Sequence, residues 1–387
     1  MDAHLTEDLR IDVETRSVVD LRKTNLYVYF DDPSTDLWVL AYAFGDEEPE
    51  LWWPGQPCPS RIVKHVETGG LIHAHNAAFE RQAWNKLLGP KYGWPVPMLR
   101  QYRCTMAAAY AMALPGKLEH AAAALGIQDQ KDMVGSRLMM KMARPRSPRK
   151  NEPPGIYWHD KPEELVRLGE YVKQDVRAER GVSKRLLPLS DTELDVWFLD
   201  QEINDRGIYI DKNLCDAANK IVAETAHKLS LEMRQVTDGE VRGVSNVTEL
   251  IAFARKRGVE TESIAKDELI NLLARDDLPD DIRRALEIRQ EGSKTSTAKI
   301  NAMLARRQAD GRARGTLQYH AAGTGRWGGR GIQPQNLVRP SFKPHELEQI
   351  IEDVLTGNAD LIDLLHGPPM SVVADCVRSM IAASPDV

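Results

Sequence analysis

The chain has 387 residues, 42 % of them apolar, which is enough for more than one packed unit and too much for a single ordinary domain. Charged residues make up 28 %, and 51 basic against 57 acidic side chains leave a net charge of −6, so a polycation is excluded and any nucleic-acid surface must be local. The opening MDAHLTEDLR lacks the basic-then-apolar order of a secretory leader, and no apolar run approaches the roughly 18 residues of a membrane span. A soluble, intracellular chain is expected. Cys58, Cys104, Cys215 and Cys376 lie far apart, with no CxxC pair, and read as single reduced thiols.

In chain order, Leu9 to Glu14, Leu37 to Phe44, Glu50 to Trp53 and Leu71 to Ala74 read as strands, and Ala77 to Leu88 and Arg103 to Ala113 as helices. That mixture predicts an α/β unit. The stretch RPRSPRKNEPPG, Arg144 to Gly155, carries four prolines and four basic residues and predicts a surface loop. A helix follows, with Asp160 as N-cap, Pro162, Glu163 and Glu164 in its first turn, and Leu165, Leu168, Val172 and Val176 at helical spacing. The first domain is drawn at 1–189.

From 190 to 304 no β-rich run is read, and helices over Asp211 to Arg234, Val247 to Arg257 and Lys266 to Ala274 follow one another, with Gly258 as a stop. Between Lys294 and Lys343 ten basic residues, Lys299, Arg326 and Arg330 among them, face the single carboxylate of Asp310, and seven glycines lie between Gly311 and Gly331. This is the local basic surface; a flexible solvated loop is the plainer alternative. The last stretch, within 305–387, turns acidic and amphipathic.

Three acidic elements stand out. In Ile11-Asp12-Val13-Glu14 a period of two sends Asp12 and Glu14 to one face, where like charges need a cation or a proton unless they are solvated. In His75-Asn76-Ala77-Ala78-Phe79-Glu80 a strand runs into a helix, with Asn76 either an N-cap or something more and Glu80 in the first turn. In Tyr171-Val172-Lys173-Gln174-Asp175 a four-residue spacing stacks a phenol and a carboxylate on one helix face, although Asp175 could equally pair with Lys173 or Arg177.

Taken together, D-x-E on a first strand, H-N-x-x-F-acid at a strand-to-helix junction and Y-x-x-x-D on a late helix resemble the three motifs of the DEDDy 3′-to-5′ exonucleases. The resemblance implies a ribonuclease-H-like α/β domain and two Mg²⁺ or Mn²⁺ ions. Asp12 would bridge them, Glu14 and Asp175 would complete one shell, Glu80 would hold the second ion through water, and Tyr171 would orient the attacking water. The chain departs from the family at Glu80, where most members carry aspartate.

The likeness extends downstream. Thr324-Gly325-Arg326 followed by Gln335-Asn336-Leu337 resembles the segment that enters the palm of family A DNA polymerases of the DNA polymerase I type, and the wording DVETRS, AHNAAFER and QPQNL is most similar to phage and prophage versions. Val247 to Leu250, Arg257-Gly258, Leu278-Pro279, Ile282 and the lysines Lys294 and Lys299 resemble the thumb helices that track a primer-template duplex. The implied layout is a nuclease domain (1–189), a mainly α-helical thumb-like region (190–304) and the beginning of a palm (305–387). The implied DNA contacts are Asn76, Lys294, Lys299, Thr324, Arg326, Gln335 and Asn336.

The aspartates and the arginine-lysine-tyrosine helix that nucleotide addition needs in that family are not found, so primer extension is not expected. The function implied is proofreading of DNA 3′ ends in a bacterial or phage-infected cytoplasm. The alternative is a nuclease-silent DNA-binding subunit of a split polymerase, completed by a separate palm and fingers chain.

Overall fold

The computed structural model describes residues 7–127, 132–293 and 298–384. They fall into two units, Met1–Gly207 with Arg314–Arg330, and Ile208–Ala313 with Gly331–Val387. The first unit contains, in order, β1 (Leu9–Arg16), α1 (Leu26–Asp31), β2 (Asp36–Phe44), β3 (Glu50–Trp52), α2 (Ser60–Glu67), β4 (Ile72–Ala74), α3 (Ala78–Ala83), α4 (Gly89–Tyr92), β5 (Tyr102–Cys104), α5 (Thr105–Ala111), α6 (Leu118–Ala124), α7 (Met133–Met142), α8 (Pro162–Ser183) and α9 (Asp191–Arg206).

Its sheet has the order β3-β2-β1-β4-β5. β1 pairs antiparallel with β2, from Leu9 opposite Phe44 to Arg16 opposite Asp36, and parallel with β4, so it is the central strand. A central strand covered on both faces must be apolar or carry satisfied polar groups. Leu9, Ile11 and Val13 enter one core, which also takes Leu40, Tyr42 and Phe44 of β2. Val39, Ala41 and Ala43 face the other core, where Leu168, Tyr171, Val172 and Val176 of α8 pack. The small alanines let that helix lie close to the sheet.

Sequence expectation and structure differ at four places in this unit. The helix expected over Ala77 to Leu88 ends as α3 at Ala83 and passes through a π-turn over Trp84–Leu88. The wider turn brings Trp84, Leu87 and Leu88 all into the core, with Trp84 and Trp52 both edge-on to Trp94. Asn76 is not the N-cap: its φ is +69°, and α3 is preceded by Ala77 with no side-chain cap bond. Arg103 and Cys104, expected to open the helix read to Ala113, lie instead in β5, which pairs in parallel with β4, since main-chain partners at the sheet edge outweigh local propensity. Finally, α8 begins at Pro162 after Lys161, one residue past the expected Asp160 cap.

The second unit is mostly helical. Short antiparallel strands lie in the order Ile381–Ala382, Ile208–Ile210, Arg312–Ala313. Ile208–Ile210 falls where no strand is expected, because three residues leave no periodic signal. The helix α10 (Lys212–Val236) starts at the Asp211 cap, whose carboxylate accepts from Leu214 N at 3.0 Å. It serves two cores, one through Leu214, Ala218 and Ile221, the other through Leu229 and Met233. The second of these cores is closed by α11 (Val247–Lys256), α12 (Lys266–Leu273) and α13 (Asp280–Gly292). Gly258 follows α11 at φ +83°, as expected of a stop. The helices α14 (Ala298–Arg306), α15 (Pro344–Leu355), α16 (Ala359–His366) and α17 (Pro369–Cys376) complete the other core.

The unit borders therefore differ from the sequence-drawn ones at 189 and 304. Trp197 and Phe198 of α9, and Tyr319 of the 314–330 segment, are buried in the core of the first unit. Asn204 of α9 binds the Leu317 backbone twice, accepting at 2.9 Å and donating at 3.2 Å. All four cysteines are free thiols, three of them buried. Among the described residues no helix is long and apolar enough to cross a membrane.

One buried acid in α9 makes stability depend on pH. Burial pushes the Asp200 carboxyl up to about 6, against the lowering effect of hydrogen bonds from Asn204 and Gln201 and of the Arg330 charge. A carboxyl raised on folding stabilises the native state below its unfolded value and loses that contribution as pH rises through the folded one. The loss here spans roughly pH 4 to 6 and amounts to about 3 kcal/mol. Asp200→Asn is expected to raise the melting temperature at pH 8 and to change it little at pH 4, as followed by thermal melts across that range.

Candidate metal centre

The acidic site is built where β1 meets α8. Arg10, Asp12 and Glu14 alternate with Leu9, Ile11 and Val13, so the polar set shares the opposite face of the strand. The register with β2 shifts between Glu14 and Thr15, an irregularity of the kind that re-aims a side chain at the end of a strand. On α8, Tyr171, Asp175 and Glu179 recur every four residues along one buried stripe.

The result is a close meeting of acids. Asp12, Glu14 and Asp175 each offer an oxygen, and these oxygens all lie within 4.8 Å of one another. Glu80, in the first turn of α3, is not one of that trio. It lines the same cleft of about 360 Å³ together with Asp12, Glu14, Asn76, Tyr171 and Asp175. Its side chain is almost wholly enclosed, at 3 % exposure. Burial, and after it the neighbouring Asp12 charge, pushes the Glu80 carboxyl well above the usual carboxylate range, with Glu179 adding to the effect. Its Oε2 is buried without a hydrogen-bond partner among the described residues.

Tyr171 is 1 % exposed. Burial, then the charges of Glu14 and Asp175, holds its phenol protonated far above the ordinary tyrosine range, and its hydroxyl donates to the Asp175 carboxylate. Gly135 of α7 makes room for this ring, since a Cβ there would stand 2.4 Å from Tyr171 Cδ2. Of the basic residues near Asp175 on the helix, Lys173 pairs with Glu170 at 3.2 Å and Arg177 with Glu48 at 2.8 Å.

Hard divalent ions take oxygen ligands, and a compact carboxylate set is costly without a cation or proton to offset the repulsion. The orphaned Glu80 oxygen and the three converging acids fit such ions.

The residues likened to DNA contacts are spread over both units. Asn76 lines the acidic cleft. Thr324 and Arg326 are exposed on the segment between the short paired strands Leu317–Gln318 and Gly328–Gly329, in the first unit. Lys299 is half-exposed on α14, and Gln335 and Asn336 are exposed on a 3₁₀ turn, all in the second unit. Lys294 lies outside the described residues.

Two residues beside the site were missed by sequence reasoning. Arg10 Nη1 donates to Glu179 Oε2 at 2.7 Å, with side-chain exposures of 10 % and 4 %. The Thr105 hydroxyl donates to the other Glu179 oxygen. A signal existed: Arg10 stands two residues before Asp12 on the strand, and Glu179 four after Asp175 on the helix.

No family model matches the chain. A DNA polymerase of Bacillus phage SP02 is 32 % identical over 389 residues, which is 97 % of this chain and 58 % of that protein. Among solved structures, the POL domain of Pol1 from M. smegmatis, in complex with DNA primer-template and dNTP, is similar with a TM-score of 0.53 at 17 % identity. That likeness covers 91 % of this chain and 55 % of the other, and at such identity it speaks for the fold alone. The chain thus spans somewhat more than half the length of each, and neither comparison supports a separately encoded palm chain. This chain is similar along nearly its whole length to a portion of that phage DNA polymerase.

Proposed function

We propose that this chain is a portion of a phage-type DNA polymerase of family A and carries its 3′-to-5′ exonuclease, hydrolysing the terminal phosphodiester of a DNA strand with two divalent ions. The observation that carries the reading is the convergence of Asp12, Glu14 and Asp175 within 4.8 Å. The sheet order β3-β2-β1-β4-β5, antiparallel over its first three strands in sequence and parallel beyond, supports a ribonuclease-H-like domain.

In this reading Asp12, Glu14 and Asp175 would hold one Mg²⁺ or Mn²⁺, and Asp12 and Glu80 would serve a second. Bound, such a pair stabilises the charge that develops on the entering and leaving oxygens of a phosphodiester. Tyr171 keeps its proton and leans on Asp175, leaving a phenolic lone pair to fix the attacking water. Asn76, which lines the cleft, supplies an amide to the terminal nucleotide.

The helices of the second unit, with Lys294 and Lys299, act as a thumb on duplex DNA, and Thr324, Arg326, Gln335 and Asn336 belong to the approach to the palm. Cations on such surfaces neutralise phosphates and give salt-sensitive binding without sequence preference.

Two experiments test this. With Asp12 and Glu14 both replaced by alanine, Mn²⁺-dependent release of nucleoside monophosphates from a single-stranded 3′ end is expected to fall by roughly a thousandfold. Undiminished hydrolysis in that variant would remove the metal assignment. Arg326→Ala is expected to weaken primer-template binding and lower the slope of log affinity against log salt by about 1. An unchanged slope in a titration from low to high salt would take Arg326 out of the DNA surface.

A further inference from the structure

The cleft that holds the acids is not acidic throughout. Its lining also includes the apolar Val19, Leu21, Met139 and Met140 and two arginines, Arg22 and Arg144. Arg22 sits in the turn that follows β1, and Arg144 lies just past the end of α7. Both reach one carboxylate. Arg22 donates to Asp20 Oδ1 from Nε at 3.1 Å and to Asp20 Oδ2 from Nη2 at 2.9 Å, and Arg144 Nη2 stands 3.5 Å from the same Oδ1. Two positive charges thus share one negative, and among the described residues neither guanidinium has another ion pair. A surplus of positive charge remains there.

The fold does not depend on this link. Ser17 N, just past β1, donates to the Ala143 carbonyl at 3.1 Å, and Trp38 Nε1 of β2 donates to the Met142 carbonyl at 2.9 Å, so the end of α7 is tied to the sheet without Asp20. The side chains of Arg22 and Arg144 are 63 % and 41 % exposed, and ion pairs so open to solvent contribute little. Such a pair exchanges readily. A phosphodiester offers an arginine the same single charge and the same pair of oxygens as a carboxylate, and neutralising it also releases counterions from the strand. A strand whose last phosphodiester lies at the acids must lay its upstream phosphates along the rest of the lining, where Arg22 and Arg144 supply the positive charge.

We propose that Arg22 and Arg144 form a phosphate clamp for the DNA strand entering the cleft, and that Asp20 is its built-in competitor, holding in the free protein the place that a backbone phosphate takes. The inference rests on the reading of the cleft as the site for a DNA 3′ end. Asp20 then sets how tightly a strand is held, not how fast it is cut. Leu21 and Met140, 40 % and 42 % exposed, give the sugar and base beside that phosphate an apolar surface.

The test is steady-state release of nucleoside monophosphate from a thymidine tetranucleotide by the full chain with Mn²⁺ at low salt, a signal that only strands seated in the cleft produce. Replacing Arg22 and Arg144 together by glutamine is expected to raise KM about tenfold and leave kcat within about twofold, the signature of lost binding rather than lost chemistry. Asp20→Asn removes the competing charge and is expected to lower KM about threefold. The asparagine oxygen can still accept from Arg22 N, as Asp20 Oδ1 does at 3.1 Å, so the turn is kept, with thermal melts as the check. Added to the double-arginine variant, Asp20→Asn is expected to leave KM within about 1.5-fold. A general easing of repulsion between Asp20 and DNA would lower KM as much without the arginines as with them.

Wild-type KM in the double-arginine variant, or a gain from Asp20→Asn that survives the loss of both arginines, overturns the inference while leaving the nuclease reading standing. Wild-type protein that releases no nucleotide overturns that reading and the clamp with it. Should Asp20→Asn not fold, the single variants Arg22→Gln and Arg144→Gln decide. Each is expected to raise KM about threefold, and an unchanged KM in both overturns the clamp.

Discussion

The first unit is organised around a repulsion. Three carboxylates whose oxygens lie within 4.8 Å of one another are unfavourable neighbours in a cleft partly closed to water, and nothing in their own chemistry brings them together. Their backbones are held by apolar packing on either side: Leu9, Ile11 and Val13 under β1, and Leu168, Val172 and Val176 along α8. The fold supplies the approach and leaves the charge to be offset by a cation or a proton. That is the arrangement expected where function rather than stability sets the residues.

The scaffold was legible in the sequence where periodicity was long. The alternation Leu9 to Glu14 and the run Leu37 to Phe44 gave the two central strands, and the stripe Leu165, Leu168, Val172, Val176 gave α8 to within two residues at its start. It failed where tertiary contacts decide. Tyr102–Cys104 is a strand because Ile72–Ala74 offers it main-chain partners, and no local pattern records that. The π-turn at Trp84–Leu88 exists because three large side chains share one core, an outcome of packing rather than of propensity. The short helix α1, capped by Asn25 through its bonds to Tyr27 N and Val28 N, passed unread between two strands.

The acids of the site were found as motifs, and their spacing placed them on the right elements. Arg10 and Glu179 were not, since an arginine in a strand and a glutamate in a helix read as ordinary solvated charges until both turn out to be buried. The basic stretch divides between two cores: Thr324 and Arg326 fold with the first unit, and Lys299, Gln335 and Asn336 with the second. Sequence proximity says nothing about which core a segment joins; here Tyr319, bonded to Glu193 at 2.6 Å, ties the glycine-rich segment to α9.

Glu80 is where local structure bears on chemistry most directly. The residue after it, Arg81, forks onto Asp205 at 2.6 and 2.8 Å, and Tyr27 and Gln82 donate to the same carboxylate at 2.8 and 3.0 Å. The first turn of α3 is thereby fixed from the side away from the cleft, with Asn76 in its left-handed conformation fixing the entry. A backbone held at both ends leaves the length of the side chain as the free variable. With the main chain fixed, the extra methylene of glutamate over aspartate carries the carboxyl further from α3 into the enclosed space beside Asp12, and the burial and charge acting on it follow from that reach. The longer acid is therefore accommodated by rigidity in its surroundings, and a loosely held α3 would let it turn back to water.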